Sequence, residues 1–193
     1  KPELTWLDAE AYERSPKSVR ELSRFDGIVI PGGFGGRGVE GKIKAIEYVR
    51  KRSIPYLGLC YGLQLAVVEF TRHAVKLPGA HTTEINPKTK YPVIRTMPDQ
   101  LVNISEKKMG GSMRLGAYPC RLKPGTKARA AYGKPVVAER HRHRYEINNE
   151  YVARLEQRGL IASGVNPKRN LVEIMELKGH PFFMGTQFHP ELK

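Results

Sequence analysis

The sequence predicts one α/β domain of three layers: a mostly parallel central sheet with covering helices and an antiparallel extension. Three observations carry that expectation. In the first part of the chain, short apolar runs that end in glycine-rich turns alternate with segments of helical period, the order that a parallel sheet requires. Further on, apolar runs follow one another with little helix between them, so that half is more antiparallel. At 193 residues the chain is long enough to bury a core without disulfides or metal.

Leu4 to Leu7 reads as a short strand, followed by a polar, partly helical passage to Arg24. Gly27 to Pro31 is a second, buried strand that runs into the turn Gly32-Gly33-Phe34-Gly35-Gly36-Arg37-Gly38. A helix follows, with Ile43, Ile46 and Val49 on one face. Ile54 to Leu59 is the next buried strand, and Leu63, Ala66, Val67 and Phe70 then fall at helical spacing. Pro78 to Lys90 has no clear period and holds Glu84, as a functional loop would. Tyr91 to Thr96, Ser112 to Leu122 and Val136 to Ala138 read as strands, with Met113, Leu115 and Ala117 alternating with Arg114 and Gly116. Glu139 to Glu146 is the densest charge cluster and has the composition of a solvated edge strand. A short helix from Tyr151 to Arg158 closes at Gly159, and Leu160 to Val165, Leu171 to Leu177 and Phe182 to Phe188 complete the sheet.

A formal net charge of +14 first suggests a polyanion partner. The basic residues are scattered, however, as Lys42, Lys44, Arg50, Lys51 and Arg52 are around one helix, which is the pattern of a solvated face. With no zinc-ligand spacing, no RNA-binding aromatic signature and no recognition helix, nucleic acid is not the expected partner. There is also no apolar run long enough to span a bilayer and no leader, so neither a membrane partner nor export is expected. The two cysteines, Cys60 and Cys120, form no disulfide framework, which points to a reducing cytoplasm.

Two glycine motifs fail a chemical requirement. Gly33-x-Gly35-x-x-Gly38 matches the dinucleotide spacing, but Ile54 to Gly58 stands where an acidic residue should end the next strand. Gly36-x-x-x-x-Gly41-Lys42 resembles a phosphate loop, but Ile43 replaces the magnesium-binding hydroxyl. The remaining use of these glycines is close approach of backbone N–H groups to a substrate oxygen.

Gly58-Leu59-Cys60-Tyr61-Gly62 puts one cysteine between two glycines, on a strand-to-helix turn. Such a turn exposes a nucleophile, and the helix N-terminus behind it favours thiolate. The competing reading of a lone cysteine is an inert packing residue. A base is supplied by Gln187-Phe188-His189-Pro190-Glu191: a histidine at a strand end can take the thiol proton while a carboxylate two positions on holds its other nitrogen. Alone, that histidine and carboxylate would read as an exposed pair. Together, Cys60, His189 and Glu191 make a nucleophile, base and orienter.

This set resembles the class I glutamine amidotransferase family, in which G-x-C-x-G and a terminal F-H-P-E are the signature pair. More closely, it is similar to the glutaminase domains of the CTP synthases. The further marks are Pro31-Gly32-Gly33-Phe34-Gly35-x-Arg37-Gly38-Val39-Glu40-Gly41, Gly111-Ser112-Met113-Arg114-Leu115-Gly116 and Arg140-His141-Arg142-His143-Arg144-Tyr145-Glu146-Ile147-Asn148. The resemblance implies glutamine hydrolysis, with Gly33 and Tyr61 supplying oxyanion amides and Tyr61 acting through its backbone. It also implies a substrate site of Gly33, Phe34, Tyr61, Gln64, Glu84 and Arg144, the last at the α-carboxylate through side chain or backbone.

By the same resemblance, this domain needs no metal or cofactor. ATP and Mg would serve a synthetase domain that aminates UTP, GTP would activate, and the parent would be a homotetramer. Residues 1–193 would be one such domain truncated at both ends, with the synthetase domain as partner and L-glutamine as substrate. The alternatives from other classes are a cysteine peptidase or γ-glutamyl hydrolase using the same three residues, and a non-catalytic basic binding module.

Overall fold

The order of seven strands in one sheet decides which loops meet. The computed structural model describes residues 1–96 and 113–192. The sheet runs β1 (Ile28–Ile30), β2 (Tyr56–Leu59), β10 (Phe183–Thr186), β9 (Val172–Leu177), β8 (Leu160–Val165), β5 (Arg114–Leu122), β6 (Val136–His143), numbered in chain order. β2 pairs in parallel with β1 and with β10. Every pairing from β10 out to β6 is antiparallel. The α/β class with its antiparallel extension is as expected, but the expectation of a mostly parallel sheet is corrected. Among the described residues two of its six pairings are parallel and four antiparallel, because β8, β9 and β10 return beside one another without a crossover helix. A second sheet of three strands joins β3 (His81–Thr82), β4 (Pro92–Thr96) and β7 (Tyr145–Ile147), so the strand expected at Tyr91 to Thr96 belongs to neither edge of the central sheet.

The helix after the cysteine, α3 (Tyr61–His73), touches β1, β2 and β10 on one side and β3, β4 and β7 on the other. Every residue from Tyr61 to Thr71 is therefore buried. Its Leu63, Leu65, Val67 and Phe70 are at most 2% exposed, each contributing about 1.5–3 kcal/mol of apolar burial. Beside it lies α2 (Val39–Lys51), whose Ile43, Ile46 and Val49 face inward as their spacing predicts. Arg50 of α2 grips the fully buried Glu69 of α3 through Nε at 2.8 Å and Nη2 at 2.7 Å. The polar opening passage folds as α1 (Ala9–Arg14), capped by Asp8, and a 3-10 helix at Pro16–Arg24. Beyond β5 come α4 (Lys127–Tyr132) and, before β8, α5 (Val152–Gln157).

Several local expectations are corrected. Leu4 to Leu7 forms no strand, and Leu4 and Trp6 are 79% and 88% exposed. The strand at Gly27 to Pro31 shrinks to Ile28–Ile30, with Val29 half exposed, since among the described residues β1 pairs with β2 alone. In β5 the apolar alternation is inverted: Leu115 is exposed and Arg114 is buried. Gly111 and Ser112, part of the quoted motif, lie outside the described residues. The charge cluster does occupy an edge strand, but Glu139, His141 and His143 point inward while Arg140 and Arg142 point out.

Arg114 explains that inversion. Its Nη2 lies 2.8 Å from Glu173 and its Nη1 3.5 Å from Glu146, all three nearly excluded from water. His141 and His143 are beside them, ring nitrogens 2.8 Å apart. Burial first, and the Arg114 charge second, push His141 down to about 2 and His143 to about 3. Burial pushes Glu146 up to about 8, with Arg114 opposing and Glu173 adding to the rise.

These directions predict a pH dependence of stability. The depressed histidines contribute fully above their unfolded value of about 6.5, and that contribution is lost as pH falls below it. The raised Glu146 works the other way, its contribution lost as pH climbs from its unfolded value toward 8. Burial raises Glu173 as well and lowers His81 and His180, so four histidines stand against two carboxylates and stability should fall as pH drops from about 6.5 toward about 4.5. Denaturant titrations at several pH values should show this slope, and a flat profile over that range would contradict it.

Candidate active site

Cys60 sits where β2 ends and α3 begins, with φ +51° and ψ −96°. A side chain tolerates that conformation only when its surroundings fix it, at a cost of about 1–3 kcal/mol. Here the Cys60 amide donates to the Thr186 carbonyl at 2.6 Å, and the Cys60 carbonyl accepts from the Gln64 amide at 3.2 Å. The flanking glycines are steric necessities. A Cβ on Gly58 would lie 2.7 Å from the Gly62 carbonyl carbon, and one on Gly62 would lie 2.3 Å from the Ile30 carbonyl oxygen. The turn is thus pressed against both its own helix and the end of β1.

The sulfur is buried, and that burial foremost pushes the thiol up to about 12, with the Glu191 and Glu84 carboxylates raising it further. The Tyr61 amide and the Gln187 side chain, whose Nε2 is 3.6 Å from Sγ, pull in the opposite direction. The helix N-terminus does favour thiolate, through the Tyr61 amide, but burial outweighs it, and the resting group is a thiol that needs a base.

Parallel pairing of β2 with β10 brings the expected base to the same end of the sheet. His189 Nδ1 lies 2.7 Å from Glu191 Oε1, and the His189 amide donates to the Arg140 carbonyl at 2.8 Å. Its ring covers Gly32, where a Cβ would come within 2.7 Å of Cε1. Gly32 follows β1, which is paired to β2, so the ring stands beside the elbow.

Other expected residues gather here. Glu84 is partly buried and accepts from the Gly35 amide at 2.9 Å. Tyr61 is 2% exposed, its ring packs 3.5 Å from where a Cβ on Gly33 would stand, and its hydroxyl donates to the Gly35 carbonyl at 2.6 Å. Besides the backbone role that the resemblance implies, Tyr61 thus has a side chain tied to the glycine loop. Gln64 Nε2 donates to the Tyr145 carbonyl at 2.9 Å and lies 3.3 Å from Gln187 Oε1. Arg144, at the bend between β6 and β7, is partly exposed but has a buried Nε without a hydrogen-bond partner, which suits an incoming carboxylate. Phe34 stands apart at 88% exposed.

Sequence reasoning missed Gln187 and Thr186, the residues that touch the sulfur and fix the Cys60 backbone. Their position just ahead of the histidine on a strand beside β2 was the available signal. Among the described residues, Glu47, Glu69 and His73 could gather three metal ligand atoms, but Arg50 and Lys51 already occupy these carboxylates.

The glutamine amidotransferase class-I family matches residues 1–193. The chain belongs to that family. It is 53% identical to the CTP synthase of Carboxydothermus hydrogenoformans over 190 residues, 98% of this chain and 35% of that protein. The CTP synthase of Thermococcus kodakarensis is 51% identical over the whole chain and 36% of its own length. The chain therefore spans about a third of these relatives.

Within the family, its structure matches the glutaminase domain of Trypanosoma brucei CTPS, solved with bound acivicin. The TM-score is 0.91 with 35% identity, covering 100% of this chain and 74% of that one. That likeness places the chain with the CTP synthase glutaminase domains of the amidotransferase family. A glutamine amidotransferase of Thermotoga maritima, at TM-score 0.56, 15% identity and coverage of 87% of this chain and 57% of that one, shares the fold.

Proposed function

We propose that this amidotransferase domain hydrolyses the side-chain amide of L-glutamine to glutamate and ammonia. The observation that carries the reading is the His189–Glu191 pair at 2.7 Å, its imidazole laid over Gly32 beside a positive-φ cysteine. Cys60 Sγ attacks the amide carbon as His189 takes the thiol proton. The oxyanion is held by the Gly33 and Tyr61 amides, and Glu191 keeps the imidazole oriented. The C–N bond breaks as His189 passes that proton to the departing ammonia, leaving a thioester. Water, deprotonated by His189, then cleaves the thioester and restores the thiol. Thiol, imidazole and water complete this proton and electron balance, so the domain's own chemistry calls for no metal or cofactor.

In a protein of the relatives' length, the ammonia would aminate UTP in a synthetase domain that uses ATP and Mg. The chain's span of about a third of those relatives supports such a partner. GTP activation and a homotetrameric parent belong to the same proposal. Among the described residues, no helix is long and apolar enough to cross a membrane.

Exposure to a glutamine-like diazoketone, followed by mass spectrometry, should label Cys60 alone, and purified protein should turn over glutamine but not peptides. Peptide turnover without glutamine turnover would overturn the assignment.

Discrimination of glutamine from other amides falls to Glu84 for the ammonium and Arg144 for the carboxylate. Truncating one partner of a buried charge pair costs about 2–5 kcal/mol, so Glu84→Ala should lower kcat/KM by more than about thirtyfold. Because Glu84 also holds the Gly35 amide, the comparison needs an analogue lacking the α-amino group. The mutation should weaken glutamine more than this analogue, and an equal loss on both would remove Glu84 from ammonium recognition.

A further inference from the structure

We infer that the Tyr61 hydroxyl is a positioning group, a clamp that fixes the glycine loop so that the Gly33 amide is aimed before substrate arrives. The inference rests on the proposed hydrolysis and adds to it a residue whose side chain that reaction does not otherwise use.

An oxyanion donor works by being oriented in advance, since a donor that must reorganise during reaction gives back what it stabilises. The segment from Gly32 to Gly36 is poorly suited to that task unaided. Four of its five residues are glycines, which have the widest choice of backbone conformation, and Gly35 itself sits at φ +75°. Its one large side chain, Phe34, projects into solvent at 88% exposure and anchors nothing.

What holds the loop is a pair of hydrogen bonds on a single residue. The Gly35 N–H donates to Glu84 at 2.9 Å, and the Gly35 carbonyl accepts from the Tyr61 hydroxyl at 2.6 Å. With both its polar groups engaged, Gly35 cannot turn without breaking a bond on one side. Gly33 is two residues upstream, and the Tyr61 ring packs against it, 3.5 Å from a Cβ built there. The clamp stands on α3, directly after the nucleophile, so it ties the two proposed oxyanion amides to one rigid element. Lys42 of α2, its Nζ 5.7 Å from the ring centroid, closes the other side. Burial, with the Glu84 charge adding, raises the phenol further above its ordinary value, so it remains a donor at any working pH.

Tyr61→Phe tests this, because it keeps the ring and removes only the hydroxyl. Loss of the clamp should lower kcat for glutamine, counted per titrated Cys60, by about tenfold or more while KM stays within about threefold. Alkylation of Cys60 by iodoacetamide, which builds no oxyanion, should stay within about threefold of wild type. Amide hydrogen exchange at Gly33 to Gly36 should accelerate by about tenfold or more. Tyr61→Leu should behave alike on all four measures.

Unchanged exchange, or kcat within about twofold of wild type, would overturn the inference. So would alkylation falling in parallel with turnover, the mark of a general structural loss. Should wild-type protein fail to hydrolyse glutamine, the proposed function falls, and the exchange measurement still decides the clamp by itself.

Discussion

Cys60→Ala is expected to lower glutamine turnover by at least about 10⁴-fold, to the level of contaminants, because it removes the sulfur that would form the acyl bond. Cys60→Ser should also be inactive: the elbow was shaped for sulfur, and an alcohol is much the harder group for His189 to deprotonate. Cys120→Ser is the internal control. Cys120 lies fully buried in β5, its sulfur packed toward Gly164, with burial pushing its thiol up to about 12. The two thiols thus share an elevated pKa, and what separates them is access to His189 and to the glycine loop. Measured kcat should be background for both Cys60 variants and within about twofold of wild type for Cys120→Ser. Equal loss at both positions would show that thiol content, not the elbow, governs activity.

The second large effect is on stability. Arg114→Met should cost about 3–5 kcal/mol, because it takes from two buried carboxylates, Glu146 and Glu173, the guanidinium they share. The loss should be greatest above the Glu146 value of about 8, where both carboxylates tend to ionise. Adding Glu146→Gln and Glu173→Gln to the same variant should recover part of it, since neutral amides need no counter-charge. Denaturant midpoints for the single and triple variants measure both. A single variant within about 1 kcal/mol of wild type would mean that Arg114 does not hold this cluster together.

These two residues mark what was and was not legible in the sequence. Cys60 was legible because local constraints coincide there: a strand, two glycines that a Cβ would break, and a helix of the right period. His189 and Glu191 were legible only through the chemical demand of Cys60 for a base, and through family resemblance. The buried face of β5 was not legible. Alternation along Met113 to Ala117 gives two faces but not which one is inside, and the apolar set was the natural choice. Arg114 turns inward because its partners are distant in sequence, 32 and 59 residues on. Leu4 to Leu7 failed for the opposite reason: among the described residues no strand lies beside it for its local β propensity to pair with. Tyr61 shows a third limit, since a tyrosine after the nucleophile announces nothing until the carbonyl of Gly35 is found beneath its hydroxyl.

The insertion of β10 between β2 and β9 has a consequence for biosynthesis. The strand that fills the second side of β2, and carries Gln187 and His189 to the elbow, comes from a part of the chain about 130 residues after the cysteine. At ribosomal speeds of about 5–20 residues per second, Cys60 spends on the order of ten seconds in a nascent chain with no base, no Thr186 carbonyl to hold its amide and one edge of its strand unpaired. By the proposed assignment, no glutamine is consumed in that interval. On that assignment ammonia production would begin only once β10 is in place, and a translation product interrupted before it would carry the nucleophile but not the activity.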